Sequence, residues 1–124
     1  MSTINYNQQP LASVVIQELS LCKFPLHNEK DLQEAIYKQL IFKRFPAIRE
    51  YPLDNKNILD ILILNMAIEI KIHASAKSIY RQCVRYCEFE RVKCLLLITN
   101  RSMGFPEQIN GKPCYVLNLG KAWL

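Results

Sequence analysis

No apolar run in this chain approaches the roughly 20 residues that a membrane-spanning helix needs, so a helical membrane protein is not expected. Residues 1–10 are polar and lack the apolar segment of a secretory leader. The five cysteines, at 22, 83, 87, 94 and 114, are odd in number and contain no Cys-x-x-Cys spacing. A disulfide framework is therefore not expected, and a reducing, cytoplasmic setting is. With only His27 and His73, a zinc site has little to build on. No internal repeat or low-complexity stretch interrupts the chain.

What is present is a globular composition. Half of the 124 residues are hydrophobic, and charged residues make up 22%, which suits one domain with a real core and not a disordered chain. The net charge of +5 leans modestly toward polyanionic partners, although many small soluble proteins are equally basic. A single domain over residues 1–124 is expected, with residues 1–27 as an N-terminal arm or short extra element.

Periodicity and breakers give the order of elements. Residues 11–22 have the length of a short helix behind Pro10, but the Val14-Val15-Ile16 run argues against it, and both readings stay open. Asn28 is a candidate N-cap, with Glu29 and Asp31 in the first turn, where the helix dipole favours anions. A helix is predicted over residues 29–43: Leu32, Ile36 and Leu40 form one apolar stripe, Tyr37, Ile41 and Phe45 a second, and Pro46 ends it. Strands are predicted over 47–51, 58–64 and 67–73, the last alternating like a half-buried strand. A helix over 75–90, capped by Ser75 or Ser78, precedes strands over 92–99 and 114–118. The fold class expected is α/β, with a mixed sheet built from a meander and a helix-linked strand.

The second and third strands carry the charged residues of interest. A two-residue turn at Asn65-Met66 would set Leu64 opposite Ala67, Leu62 opposite Glu69 and Asp60 opposite Lys71. Asp60, Glu69, Lys71 and His73 would then share one face, and Ile61, Ile63, Ile68, Ile70 and Ile72 the other. The ordinary explanation is a cross-strand ion pair, Asp60 with Lys71, on a solvated surface. The functional one is a divalent-cation site, since two carboxylates with waters and a phosphate suit magnesium. Two helix features bear on the choice. Glu34 shares a stripe with Tyr37, Ile41 and Phe45. Gln82 and Tyr86, four apart, border an apolar sector (Ile79, Cys83, Cys87) and a basic one (Lys77, Arg81, Arg85, with Glu88 among them). The setting of Cys83 and Cys87 points to packing and not to metal binding.

Taken in order, Glu34, Asp60, Glu69-Ile70-Lys71 and Gln82-x-x-x-Tyr86 resemble the PD-(D/E)xK nuclease superfamily, and the Gln-x-x-x-Tyr element resembles its RecB-like subgroup. The likeness covers about residues 29–99; Leu59 stands where the family often has proline, and no cysteine cluster matches the iron–sulfur site of some members. The resemblance implies a restriction-endonuclease-like αβββαβ core and a Mg-dependent deoxyribonuclease, with Mn2+ as a substitute ion. It implies that Asp60, Glu69 and the Ile70 carbonyl hold the metal, and that Glu34 binds a second ion or one of its waters. Lys71 would position or deprotonate the attacking water and offset phosphate charge. Gln82 and Tyr86 would orient the site or the substrate strand. Lys77, Arg81, Arg85, Arg91 and Arg101 are candidate phosphate contacts. DNA is the expected partner, with a homodimer or a targeting protein supplying selectivity and no membrane involved. A structure-specific endonuclease of the Holliday-junction type, and a catalytically silent nucleic-acid- or protein-binding module, stay open as alternatives.

Overall fold

A computed structural model describes residues 9–120, so residues 1–8 of the expected N-terminal arm or extra element over 1–27 lie outside the described residues. Nine elements follow in order: α1 (Leu11–Ser20), α2 (Glu29–Phe42), β1 (Ala47–Pro52), β2 (Ile58–Ile63), β3 (Met66–Lys71), α3 (Ala76–Tyr86), β4 (Cys94–Thr99), β5 (Gln108–Ile109) and β6 (Lys112–Asn118). They form an α/β domain with one six-stranded mixed sheet in the order β1-β2-β3-β4-β6-β5. β1, β2 and β3 are an antiparallel meander, and β4 and β6 run parallel to β3. None of the helices among the described residues is long and apolar enough to cross a membrane.

The helices form where their apolar spacing meets the sheet. In α1, Ala12, Val15 and Leu19 are buried at helical spacing, so tertiary burial overrides the β-branched run and resolves that segment as helix. In α2, the Asn28 side chain accepts the Asp31 N–H at 2.8 Å, and Leu32, Ile36 and Leu40 are buried. These two helices cover one sheet face, with Ile61, Ile63, Ile68, Ile70, Ile72, Leu96 and Ile98 beneath them. Fully burying each such side chain contributes about 1.5–3 kcal/mol. α3, capped by Ser75 and not by Ser78, covers the other face through Ile79, Cys83 and Tyr86, over Leu59, Leu62, Ala67, Leu95 and Leu97.

Three expectations need correction. β3 is buried on both faces and not half-exposed, because α3 covers the side that the charges share. The hairpin turns at Leu64-Asn65, with Leu64 at φ +56°, and not at Asn65-Met66. Pairing runs Ile61↔Ile68, Leu62↔Ala67, Ile63↔Met66, so the expected pairs Leu64–Ala67, Leu62–Glu69 and Asp60–Lys71 do not form. The shift is two residues, which preserves the faces but sets Asp60 toward Glu69. In addition, the Gly/Pro-marked loop holds the short strand β5, paired with β6.

Candidate active site

The site grows from a gap in the sheet. β2 pairs with β3 only from Ile61 to Ile63, while its first half stays on β1 as far as Pro52↔Ile58. The outer half of β3 therefore has β4 on one side and no strand on the other. Backbone N–H groups exposed there need acceptors, and two carboxylates supply them. The Ile70 N–H donates to Asp60 Oδ2 at 2.8 Å, and the Ile72 N–H donates to Glu29 Oε1 at 3.1 Å.

A twist in the outer strands aims Asp60 at this gap. Arg49 stacks over the Tyr37 ring of α2, whereas Tyr51 packs on the α3 side. Along β2, Leu59 faces α3 and Ile61 faces α2. Residues two apart thus face opposite ways, and the step falls at Glu50, with φ +51°, and at Asp60 across from it.

Glu69 is the chemically unusual member. It is 1% exposed, and neither carboxylate oxygen has a hydrogen-bond partner. Burial, then the charge of Asp60, pushes its carboxyl well above the usual glutamate range. Burial also raises Asp60, against the opposing influence of Glu69, the Ile70 N–H and Lys71. Two carboxyls so placed share a proton or attract a cation. Lys71 Nζ lies 3.7 Å from Glu29 Oε2 and 3.8 Å from Glu69 Oε2. Burial pulls its ammonium down, but Glu69, Glu29 and Asp60 together outweigh that and raise it. With all three carboxylates ionised, the cluster would keep two uncompensated negative charges.

The α3 side supplies a neutral wall. Gln82 Nε2 donates to Tyr86 Oη at 2.7 Å, and the Tyr86 hydroxyl donates to the Ile58 carbonyl at 3.0 Å, two residues before Asp60. Burial and the Glu69 charge raise the Tyr86 phenol, so it stays a donor. The same two causes push the Cys83 thiol up to about 12, which leaves it unreactive.

Of the residues singled out in the sequence, Asp60, Glu69, Ile70 and Lys71 come together, and Gln82 and Tyr86 brace them. Glu34 does not join this cluster: it is 52% exposed and pairs with Lys38 on the surface of α2 at 3.5 Å. The α2 carboxylate that enters is Glu29, one-third exposed, whose sequence signal was its place in the first turn after Asn28. His73 leaves the strand face, exposed at φ +68° beyond the end of β3. Lys77, Arg81 and Arg85 line an open groove of about 370 Å3 with Ser75, Ser78 and Gln82. Arg91 and Arg101 lie outside it: Arg91 stacks on Tyr51 and donates to its hydroxyl at 3.3 Å, and Arg101 follows the end of β4.

No family model, curated protein or solved structure matches this chain.

Among the described residues, no three His, Cys, Asp or Glu side chains form a ready-made metal cage. The donor set does fit a hard cation that keeps most of its waters: two adjoining carboxylates, one with both oxygens orphaned in a buried setting. It does not suit a soft metal: His73 is exposed beyond the end of β3, and the neighbouring Cys83 thiol is pushed up to about 12 and stays protonated.

Proposed function

We propose that this chain is a metal-dependent nuclease that hydrolyses phosphodiester bonds in DNA at the Asp60–Glu69–Lys71 cluster. The observation that carries the reading is Glu69, a buried carboxylate with no hydrogen-bond partner, set beside a second carboxyl and a lysine. Lys71, at 3.8 Å, offsets that charge only in part, and the Asp60–Glu69 pair must share a proton or take up a cation. The order of elements from α2 to β4 supports a restriction-endonuclease-like core, with the cluster at the end of the third strand.

Asp60 and Glu69 would hold a magnesium ion, with manganese as a substitute. The ion, when bound, supplies an activated water at neutral pH and countercharge for the phosphate. The chain's own residues do the rest. Lys71, held as an ammonium by three carboxylates, directs positive charge at the phosphate and is not a base at neutral pH in this charge state. Glu29 holds that ammonium and the Ile72 N–H. Tyr86 and Gln82 fix the strand that bears Asp60.

The test is cleavage of labelled linear, circular, single-stranded and four-way-junction DNA with magnesium, with manganese and with EDTA, beside Lys71→Ala. Metal-dependent cleavage, reduced about 100-fold or more in the variant, is expected from the loss of one directed charge. Preference for the four-way junction would favour a structure-specific endonuclease. No cleavage of any substrate by folded wild-type protein would leave a binding module.

A further inference from the structure

The α3 surface carries charges that no acidic group among the described residues pairs with. Lys77, Arg81 and Arg85 stand at i, i+4 and i+8, and none makes an ion pair among the described residues. Glu88, beyond the end of the helix, pairs with none of them either. Like charges four apart on a helix repel. Lys77 also sits in a first turn with no acidic residue, where the dipole favours anions. The groove they line adds only further neutral groups, the Ser75 and Ser78 hydroxyls and the Gln82 amide. It holds no carboxylate. Such a surface suits an anion.

Its spacing and flanks say which anion. Steps of four residues along a helix advance about 6 Å, close to the step between neighbouring phosphates on one nucleic-acid strand. Tyr80 and Gln82, the sequence neighbours of Arg81, stand about 100° to either side of it. On the Gln82 side lies the bridge through Tyr86 to the acidic cluster. On the other side Tyr80, 44% exposed, is held edge-to-face against Phe105, with ring centroids 6.3 Å apart. A propped, exposed ring beside a cationic track offers stacking to an unpaired base, whereas bases inside a duplex cannot reach it.

We propose that α3 is the track for a single nucleic-acid strand, with consecutive phosphates on Lys77, Arg81 and Arg85 and a base stacked on Tyr80 against Phe105. The assignment rests on the nuclease reading only for where the strand leads; binding itself needs no metal. It is tested by fluorescence anisotropy in EDTA, using the full chain and a labelled single-stranded oligonucleotide, as DNA and as RNA, beside a blunt duplex of the same sequence. Preference for either single strand over the duplex is expected. The double variant Arg81→Gln/Arg85→Gln should weaken single-strand binding about 10-fold or more. It should also flatten the slope of log K against log salt by about 1.4, since each phosphate contact on a single strand contributes about 0.7. Tyr80→Ala should weaken single-strand binding about 5-fold or more and leave the duplex unaffected. Binding unchanged in both variants would overturn the proposal, as would equal affinity for the duplex or capture by phosphatidylserine vesicles with neither strand bound. Strand binding that depends on α3, without cleavage in magnesium, would sink the nuclease and leave this track standing. Cleavage with binding indifferent to α3 would do the reverse.

Discussion

Helices α2 and α3 begin in the same way and carry opposite charge. Each starts on a capping side chain that accepts a backbone N–H three residues on, Asn28 from Asp31 at 2.8 Å and Ser75 from Ser78 at 3.1 Å. The first turn of α2 then holds Glu29 and Asp31, and that of α3 holds Lys77 and no acid. The acids in the first turn of α2 have partners within the protein: Glu29 takes the Ile72 N–H and Lys71, and Asp31 accepts from Asn28 Nδ2 and lies 2.8 Å from the His27 ring. The α3 cations form no ion pair among the described residues. The difference separates a helix that helps build the acidic cluster from one that offers charge to a partner.

The largest effect expected on the acidic side is from Glu69→Gln, which removes charge and keeps shape. Cleavage should fall by a factor of about 100 or more, while the protein without metal becomes more stable at neutral pH. Glu69 titrates higher folded than unfolded, so the stability tied to it is full below the ordinary glutamate value and is lost as pH rises through the folded value. In EDTA the wild-type Tm should therefore decline as pH rises from the ordinary glutamate range through neutrality, magnesium should reduce the decline, and the variant should lack most of it. A wild-type Tm that rises steadily across that range would remove Glu69 as an uncompensated buried acid.

The next effect decides which α2 carboxylate serves the site. Glu29→Gln should lower cleavage about 10-fold or more, because Lys71 loses the partner 3.7 Å away that holds it. Glu34→Gln, on an exposed pair, should change it less than about 2-fold. The opposite ranking in single-turnover cleavage would return Glu34 to the site.

The contrast between these two glutamates also shows how far the sequence was legible. Both could be seen on α2, since Asn28, the Leu32-Ile36-Leu40 stripe and Pro46 fixed that helix closely. Which end of it meets the end of β3 depends on how α2 lies across the sheet, and periodicity along one helix does not contain that angle. The β2–β3 hairpin was legible in the same partial way. Alternation gave the correct faces, but Asn65 drew the turn one residue late, because Leu64 carries no turn signal and still takes φ +56°. The site pair thus became Asp60 and Glu69 instead of Asp60 and Lys71. The burial of both faces of β3 was hidden because its polar face is covered by α3: the apolar sector of that helix, Ile79 and Cys83 with Tyr86 at its border, was legible, but not the sheet face it meets.

A smaller effect is expected where the wall of the site meets α3. Tyr86→Phe removes the donor to the Ile58 carbonyl and the acceptor for Gln82. These partners are only partly buried, so leaving them unpaired costs at most about 1–3 kcal/mol, and cleavage should fall several-fold as Asp60 loses its brace. Chemical denaturation and kcat measured together separate this from a pure folding defect. Full activity at unchanged stability would show that the Gln82–Tyr86–Ile58 chain positions nothing.

The smallest effect is the sharpest test of the comparison itself. Lys77→Glu gives α3 the charge pattern of α2: an acid in the first turn and an attractive Glu–Arg pair four residues apart in place of a repulsive one. Relief at the dipole and along the stripe should together stabilise the free protein by roughly 0.5–1.5 kcal/mol, a rise of a few degrees in Tm. The same change should weaken single-strand binding and reduce its salt slope. Stability and binding would then move in opposite directions from one exposed residue, as expected of a cation kept for a partner at the expense of its own helix. If Tm falls, or if binding holds while Tm rises, Lys77 is an ordinary surface lysine and the asymmetry between the two helices has no functional meaning at that position.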